Sequence, residues 1–429
     1  MTTRPMSRGA GEATAHRRKL LAILGAALTA RLVFVICYPQ VPVVNDALSY
    51  DQSGYYLAFG RALLPEIPGS AAIAKGPLYP TFLAGIYRLF GHDHAAVRVA
   101  QAIISSLAVL LIYGLATQLF NRGVGLLASL LAAVYPPFIS YPGQLLTETL
   151  SLSLLLAFVY SLLRALGRSQ VLPWVSAGLL GGLVVLTREE MLVIVVLSAL
   201  AVWWWRVGTR RVGVLLVSAA LVILPWTLRN SSVLGDVALI SPGGGGQLWI
   251  STVELDGPEW TSTAAHLSPS RTLVAGLSPS EADRMLRDDA IRRVVEDPLR
   301  YLKLCLNRIP AFWFGGHSST FRHLEDSLQS YVAQGSYLQV AIKLTLLAYN
   351  MGMILLGFAG MSLAWSNGMV NRRLVVLLTL PVAAKALTHF FLFARLRYQV
   401  PIMSFLIIFA AFALWHLRRV IRHRLPAPA

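Results

Sequence analysis

Long apolar runs dominate the pattern of this chain. They fall at about 20–38, 96–118, 123–140, 144–163, 171–187, 190–205, 212–228, 339–363, 374–394 and 398–417. Each approaches the roughly 20 residues that cross a bilayer as a helix. The pattern therefore predicts an all-α polytopic membrane protein with about ten transmembrane helices. Two longer and more polar stretches interrupt the runs, at 39–95 and 229–338. Within the first, Leu78–Phe90 (LYPTFLAGIYRLF) is too short to span and rich in Tyr and Phe. That composition predicts an amphipathic helix lying in the membrane interface. Residues 47–64 read as a similar juxtamembrane helix. Within the second stretch, 280–295 is polar with a helical period. Ser280 is placed as its N-cap, with Asp283 three residues later in the manner of a capping box. Asp297-Pro298 breaks that helix, and 299–314 is again amphipathic and aromatic. The first apolar run follows a basic stretch, His16-Arg17-Arg18-Lys19. No small-residue cleavage site comes after it, so it is expected to be a retained helix.

Composition agrees with the pattern. Of 429 residues 56% are hydrophobic and 13% charged, against about 25% charged in soluble domains. The whole chain, 1–429, is expected to form one transmembrane domain. The net charge of +17 would suggest nucleic acid in a soluble chain. In a membrane protein it points instead to basic cytoplasmic loops. Ten spans place both termini on one side. If that side is the cytoplasm, it holds Arg17, Arg18, Lys19, Arg122, Arg164, Arg168, Arg206, Arg210, Arg211, Arg372, Arg373, Arg418, Arg419, Arg422 and Arg424. Of the 20 acids, all but Glu12 then lie on the outer side. The two faces thus differ in task, and the outer face of the cell membrane is where chemistry is expected.

The unusual polar residues gather on that face. Asp46 and Asp51 follow the first span, and Lys75 comes later in the same loop. Glu148 lies about a turn inside the fourth span. Thr187-Arg188-Glu189-Glu190 joins spans five and six. Arg229-Asn230 ends span seven. His389, Arg395, Arg397 and Tyr398 lie where span nine turns into span ten. Such a set suits attack on a phosphate-activated, lipid-carried substrate. Cations hold the phosphate and stabilise charge on the leaving oxygen, and the guanidinium fork binds phosphate bidentately. Lys75, Arg188, Arg229 and Arg397, with Tyr398, are the candidates. An acceptor hydroxyl needs a carboxylate to take its proton; Asp46 is the first candidate. Asp51 is either a second catalytic acid or a helix cap, and Glu148 projects from the same side. The two long loops, 39–95 and 229–338, would shape the acceptor site and exclude water.

Other features add less. Gly243–Gly246 reads as a flexible turn or a phosphate nest. Lys385, deep in span nine, either contacts a lipid phosphate, snorkels or balances an acid. His92-Asp93-His94 offers two metal ligands without a third at a recognisable spacing, and Cys37 and Cys305 have no ligand spacing. No metal or other cofactor is assigned. A lipid-glycan transporter or a non-catalytic scaffold are the alternatives. Transporters show internal repeats and midplane polar sites, neither of which this sequence has.

Several motifs, taken in order, carry a family resemblance. Asp46 with Tyr50-Asp51, then Leu57-Ala58-x-Gly60-Arg61, resembles the start of the GT-C superfamily of membrane glycosyltransferases. Lys75-Gly76-Pro77-Leu78-Tyr79-Pro80 is similar to the basic-Pro-Pro-x-Tyr-Pro element of its protein O-mannosyltransferase and aminoarabinose transferase branch, the glycosyltransferase 39-like group. Gly76 replaces the first proline. Phe90-Gly91, Tyr135-Pro136-Pro137, Thr147-Glu148, Leu186-Thr187-Arg188, Pro225-Trp226-x-x-Arg229-Asn230, Gly246-x-Leu248-Trp249 and Arg397-Tyr398-x-x-Pro401 follow in order. The resemblance implies a GT-C fold with juxtamembrane helices in the first outer loop. It implies a polyprenyl-phosphate sugar donor, inversion at the anomeric centre, and a glycan, lipid or protein acceptor in the cell envelope. Asp46 would be the base, with Arg229, Arg397 and Lys75 on the donor phosphate. The chain stops soon after span ten, so acceptor recognition is expected from the loops.

Overall fold

The computed structural model describes residues 6–60, 76–234, 239–241, 243–253, 274 and 276–424. Among these residues every regular element is a helix. In chain order they are α1 (Met6–Cys37), α2 (Asp46–Phe59), α3 (Leu78–Phe90), α4 (His94–Leu119), α5 (Arg122–Val134), α6 (Pro136–Ser140), α7 (Glu148–Leu166), α8 (Leu172–Thr187), α9 (Leu192–Trp204) and α10 (Thr209–Leu234). The remainder are α11 (Gly244–Ile250), α12 (Pro279–Glu296), α13 (Pro298–Trp313), α14 (Leu328–Ala333), α15 (Tyr337–Ser366), α16 (Arg372–Phe391) and α17 (Val400–Arg424). Among the described residues seven stretches are long and apolar enough to cross a membrane, and the α5–α6 pair, bent by 60°, makes up to eight. The chain is a multi-pass membrane protein. Helices α8 and α9 occupy two of the predicted runs but have only 16 and 13 residues.

Helix α17 is the axis of the bundle. Its residues Phe405 to Ala411 are fully buried, and it packs on α15, α5, α7 and α16. The approach of α15 is set by glycine. A Cβ at Gly360 would lie 2.0 Å from the Phe409 carbonyl oxygen. Gly178 and Gly182 of α8 do the same against α10, where added Cβ atoms would meet the Leu215 and Ala219 carbonyls at 2.3 and 2.8 Å. Small residues at this spacing let membrane helices touch backbone to backbone. The outer surface is correspondingly apolar, with Leu172, Trp204, Leu338 and Leu355 largely exposed, as lipid-facing side chains are.

Arg31 shows how one charge is accommodated inside this bundle. The α5 helix ends at Tyr135-Pro136-Pro137. Neither proline has an N–H, so the carbonyls of Ala132 and Ala133, four residues back, lose their helical donors. The fully buried Arg31 of α1 supplies them: Nη2 donates to Ala132 O (3.3 Å) and Nη1 to Ala133 O (3.2 Å). Its remaining donors go to Ser105 Oγ (2.8 Å) and Ala27 O (2.9 Å). Arg31→Leu is expected to destabilise the protein by about 3 kcal/mol, the cost of two orphaned carbonyls and a hydroxyl. Thermal unfolding in detergent reads this, and an unchanged midpoint would show that the bonds carry no stability.

The two longer polar stretches also contain helices among the described residues. Helix α3 has the predicted bounds, and α2 stops at Phe59, where Gly60 takes the left-handed conformation (φ 70°). The predicted cap of the next helix needs correction. Pro279 sits in its first turn, so the N-cap is Ser278, in a reciprocal capping box with Glu281. Asp283 does other work. Its carboxylate accepts from the backbone N–H groups of Gly245 (2.7 Å) and Gly246 (3.3 Å). The glycine run is thus the start of α11, pinned to α12 rather than open to an external phosphate. Trp249 donates to Asp289 (2.8 Å) and completes that pair. Helix α13 is tied to the end of α16 by Tyr301, whose hydroxyl donates to Phe391 O (2.6 Å).

Candidate active site

Helix ends bring the site together. Asp46 is the first residue of α2, and Glu148 the first of α7. An acid at a helix N-terminus is favoured by the unpaired N–H groups there. Arg188 follows the last residue of α8, and Arg397 lies in the 3₁₀ turn Leu396–Gln399 that leads into α17. Arg397 pairs with the Asp46 carboxylate. Its Nε also lies 3.7 Å from Glu148 Oε1. Arg188 Nη1 donates to the same Glu148 oxygen (3.2 Å) and to Thr147 Oγ1 (3.2 Å). Glu148 is buried, and its Oε2 finds no hydrogen-bond partner among the described residues.

The network continues inward. Arg188 Nε donates to Glu190 Oε1 (2.7 Å), and Lys385 Nζ reaches the same oxygen (3.1 Å). Burial alone would raise the Glu190 carboxyl, but the charges of Arg188 and Lys385 hold it well below the ordinary range. His389 Nδ1 faces Phe393 O (2.9 Å) and so carries the proton, which leaves Nε2 to accept from Lys385 (2.9 Å). Of the three readings left open for Lys385, the structure shows the balancing of an acid. Tyr398 supports all of this with its ring. It stacks on His389 (centroids 4.6 Å apart) and lies beneath Arg188 (4.8 Å), Arg397 (5.2 Å) and Lys385 (5.5 Å). Each of the three cations is attracted by the negative quadrupole of the ring. Tyr50, one turn after Asp46, lies within the fields of Arg188, Asp46, Glu148 and Arg397; burial is the largest influence and keeps its hydroxyl protonated well above the ordinary range.

The structure therefore gathers Asp46, Glu148, Arg188, Arg397 and Tyr398. It adds Glu190, Lys385 and Tyr50, which were not in the predicted set. A Lys and a His four residues apart on an otherwise apolar helix were the signal for Lys385. Lys75 lies outside the described residues. Its neighbour Gly76 packs against the end of α8, where a Cβ would meet Leu186 O at 2.6 Å, so glycine is required at the position where the motif has proline. Arg229 bonds near the second long loop. It lies over the Trp226 ring (4.8 Å) and donates to Asn230 Oδ1 (3.0 Å). Trp226 and Asn230 both donate to Ile240 O, at 2.8 and 2.7 Å, so this motif anchors the second long loop. The buried Asp51 carboxylate bonds to Tyr87, His92 and His94. Burial would raise this carboxyl, but hydrogen bonds from those three residues outweigh it and lower it.

The helical bundle has the GT-C fold, which it shares with solved structures. Residues 74–228 match the family profile described as dolichyl-phosphate-mannose-protein mannosyltransferase. The archaeal oligosaccharyltransferase AglB from Archaeoglobus fulgidus, in complex with an inhibitory peptide and a dolichol-phosphate, superposes with a TM-score of 0.56 at 14% identity, over 97% of this chain and 53% of its own. The apo form of the Archaeoglobus fulgidus oligosaccharyltransferase gives 0.55 and 14%, over 96% and 52%. ArnT from Cupriavidus metallidurans, bound to undecaprenyl phosphate, gives 0.41 and 15%, over 97% and 81%. The chain spans about half the length of the oligosaccharyltransferases it matches. No curated protein sequence matches it.

Proposed function

We propose that this protein is an inverting glycosyltransferase. It moves a sugar from a polyprenyl-phosphate donor to an acceptor hydroxyl at the outer face of the cell membrane, with both termini in the cytoplasm. The observation that carries this reading is the pairing of Asp46 with Arg397 beside Glu148 and Arg188. It supplies a base and a phosphate cation in contact, at the end of the bundle that a lipid headgroup can reach. Dolichol-phosphate in the AglB complex supports a lipid phosphate as the leaving group.

In the resting arrangement Arg397 is shared between two carboxylates. A donor phosphate competes for that guanidinium, and as it binds, Asp46 is released. Asp46 then takes the proton of the acceptor hydroxyl as its oxygen attacks the anomeric carbon from the face opposite the phosphate. The carbon–oxygen bond to phosphate breaks, and the phosphate leaves as an anion held by Arg397. No strong general acid is needed, because the phosphate's second pKa is about 6. Glu148, with one oxygen unpartnered, faces the positive charge that develops on the sugar ring. Arg188 stays locked between Glu148 and Glu190 and fixes the Glu148 carboxylate. Lys75 remains a second phosphate contact in this reading, and Arg229 serves the loop. The stretches 39–95 and 229–338 cover donor and acceptor, and the acceptor is a glycan, lipid or protein hydroxyl.

The test uses the purified full chain in lipid nanodiscs, radiolabelled polyprenyl-phosphate mannose, other polyprenyl-phosphate hexoses and pentoses in turn, and a cell-envelope fraction as acceptor. Label is expected to move to the acceptor, with free polyprenyl phosphate as co-product. A folded protein that leaves every donor intact overturns the proposal.

A further inference from the structure

We propose that Asp51, His92 and His94 form a binding site for one transition-metal dication, with Zn²⁺ the expected occupant. The three residues come from two segments. Asp51 lies in the middle of α2, and His92 and His94 flank Asp93 at the joint between α3 and α4. Asp51 Oδ1 is 2.8 Å from His92 Nε2, and Oδ2 is 3.1 Å from His94 Nε2. The two Nε2 atoms are 3.3 Å apart. A zinc ion with ligands at about 2.0–2.1 Å in tetrahedral geometry places those ligands about 3.3 Å from one another. The three groups lie at or inside that spacing, each imidazole facing a different oxygen of the carboxylate, so one ion between them is within reach of all three.

Proton bookkeeping points the same way. To bond the carboxylate directly, each imidazole must present an N–H from Nε2. The two N–H groups would then confront each other at 3.3 Å. If either nitrogen instead presents its lone pair, that lone pair faces an anionic oxygen. A dication at the centre removes the conflict, because both imidazoles and the carboxylate then present lone pairs to it. Two imidazoles and one carboxylate are a donor set that suits zinc.

The surroundings hold these ligands in place. Tyr87 donates to Asp51 Oδ1 (2.5 Å) and orients the carboxylate, as outer partners of metal ligands commonly do. Gly91, at φ 76°, turns the chain so that the histidines face back onto α2. Asp93 caps α4 through Ala95 N (2.8 Å) and fixes the backbone between them. The His92 ring packs edge-on against Tyr87 (4.8 Å) and Tyr55 (5.0 Å). The Asp51 side chain is 3% exposed, the two imidazoles 27% and 29%. A fourth position is therefore open outward, to water and to exchange.

The three residues bond to one another and to Tyr87. The site clasps the helix that begins with Asp46 to the α3–α4 joint, so the metal positions that helix and takes no part in sugar transfer. Binding itself does not depend on the transferase reading; only an effect on transfer does.

The test uses the full chain, with any affinity tag removed, stripped by chelator and titrated with ZnCl₂ and separately with MgCl₂. Metal content is read by mass spectrometry, and Co²⁺ substitution by visible absorption. One Zn²⁺ per chain is expected, with a four- or five-coordinate Co²⁺ spectrum and a zinc-dependent rise in thermal midpoint. The partly exposed His92→Ala and His94→Ala variants are each expected to lose at least about a hundredfold in zinc affinity, and Asp51→Asn likewise. Zinc bound equally by wild type and the His92→Ala/His94→Ala double variant, or no zinc bound at micromolar concentration, overturns the site. A protein that binds zinc at these residues yet transfers no sugar keeps the site and overturns the transferase instead.

Discussion

Asp46→Asn is expected to lower the transfer rate at saturating donor by about a thousandfold, the upper middle of the range for loss of a general base. That corresponds to about 4 kcal/mol in the barrier. The substitution is nearly isosteric, so α2 and its packing should persist. Its second consequence follows from the ion pair with Arg397. An amide competes for a guanidinium less well than a carboxylate, so the donor phosphate meets a freer Arg397. Donor KM should therefore stay constant or fall while kcat collapses. A purely structural role for Asp46 would raise KM and lower the thermal midpoint together. Retention of kcat within about threefold by Asp46→Asn would remove it as the base.

Arg397→Ala is the second large effect. It removes the cation that touches both Asp46 and Glu148. A hundred- to thousandfold loss in kcat/KM for the donor is expected, the scale for loss of a group that stabilises developing negative charge. Arg397→Lys should recover part of it, because the charge returns without the planar fork. The pH–rate profile gives a separate readout. A carboxylate that loses a neighbouring cation ionises less readily. Deprotonated Asp46 is the active form, so the acid limb of the profile should move to higher pH in Arg397→Ala. A limb that stays in place would show that Arg397 does not act on Asp46.

Much of this architecture was legible from local pattern. Helix α3 was read to its terminal residues, because a 13-residue amphipathic run bounded by Pro77 and Gly91 leaves little choice. Arg188 was also read where it lies, at the joint between two helices. Reading failed where a partner lies far along the chain. The third companion of His92 and His94 is Asp51, 41 residues earlier than His92, and no spacing rule connects them. Lys385 and Glu190 are 195 residues apart. The shift of the cap from Ser280 to Ser278 is a different kind of miss: Pro279 was visible, and proline in the first turn marks the residue before it as the cap. Helices α8 and α9 fill two of the apolar runs but have 16 and 13 residues, because an apolar run does not mark where a helix ends.

The buried bonds of Arg31 carry a consequence for how the protein is made. The carbonyls it serves belong to residues 101 and 102 positions later. At a synthesis rate of roughly 5–20 residues per second, α5 emerges about 5–20 s after α1. During that interval α1 must enter the bilayer with a guanidinium whose partner within the helix is Ala27 O, at a penalty of up to about 3 kcal/mol. The first helix is therefore a provisional resident of the membrane. It becomes permanent only when the α4–α5 hairpin arrives and its proline-broken end takes hold of the arginine.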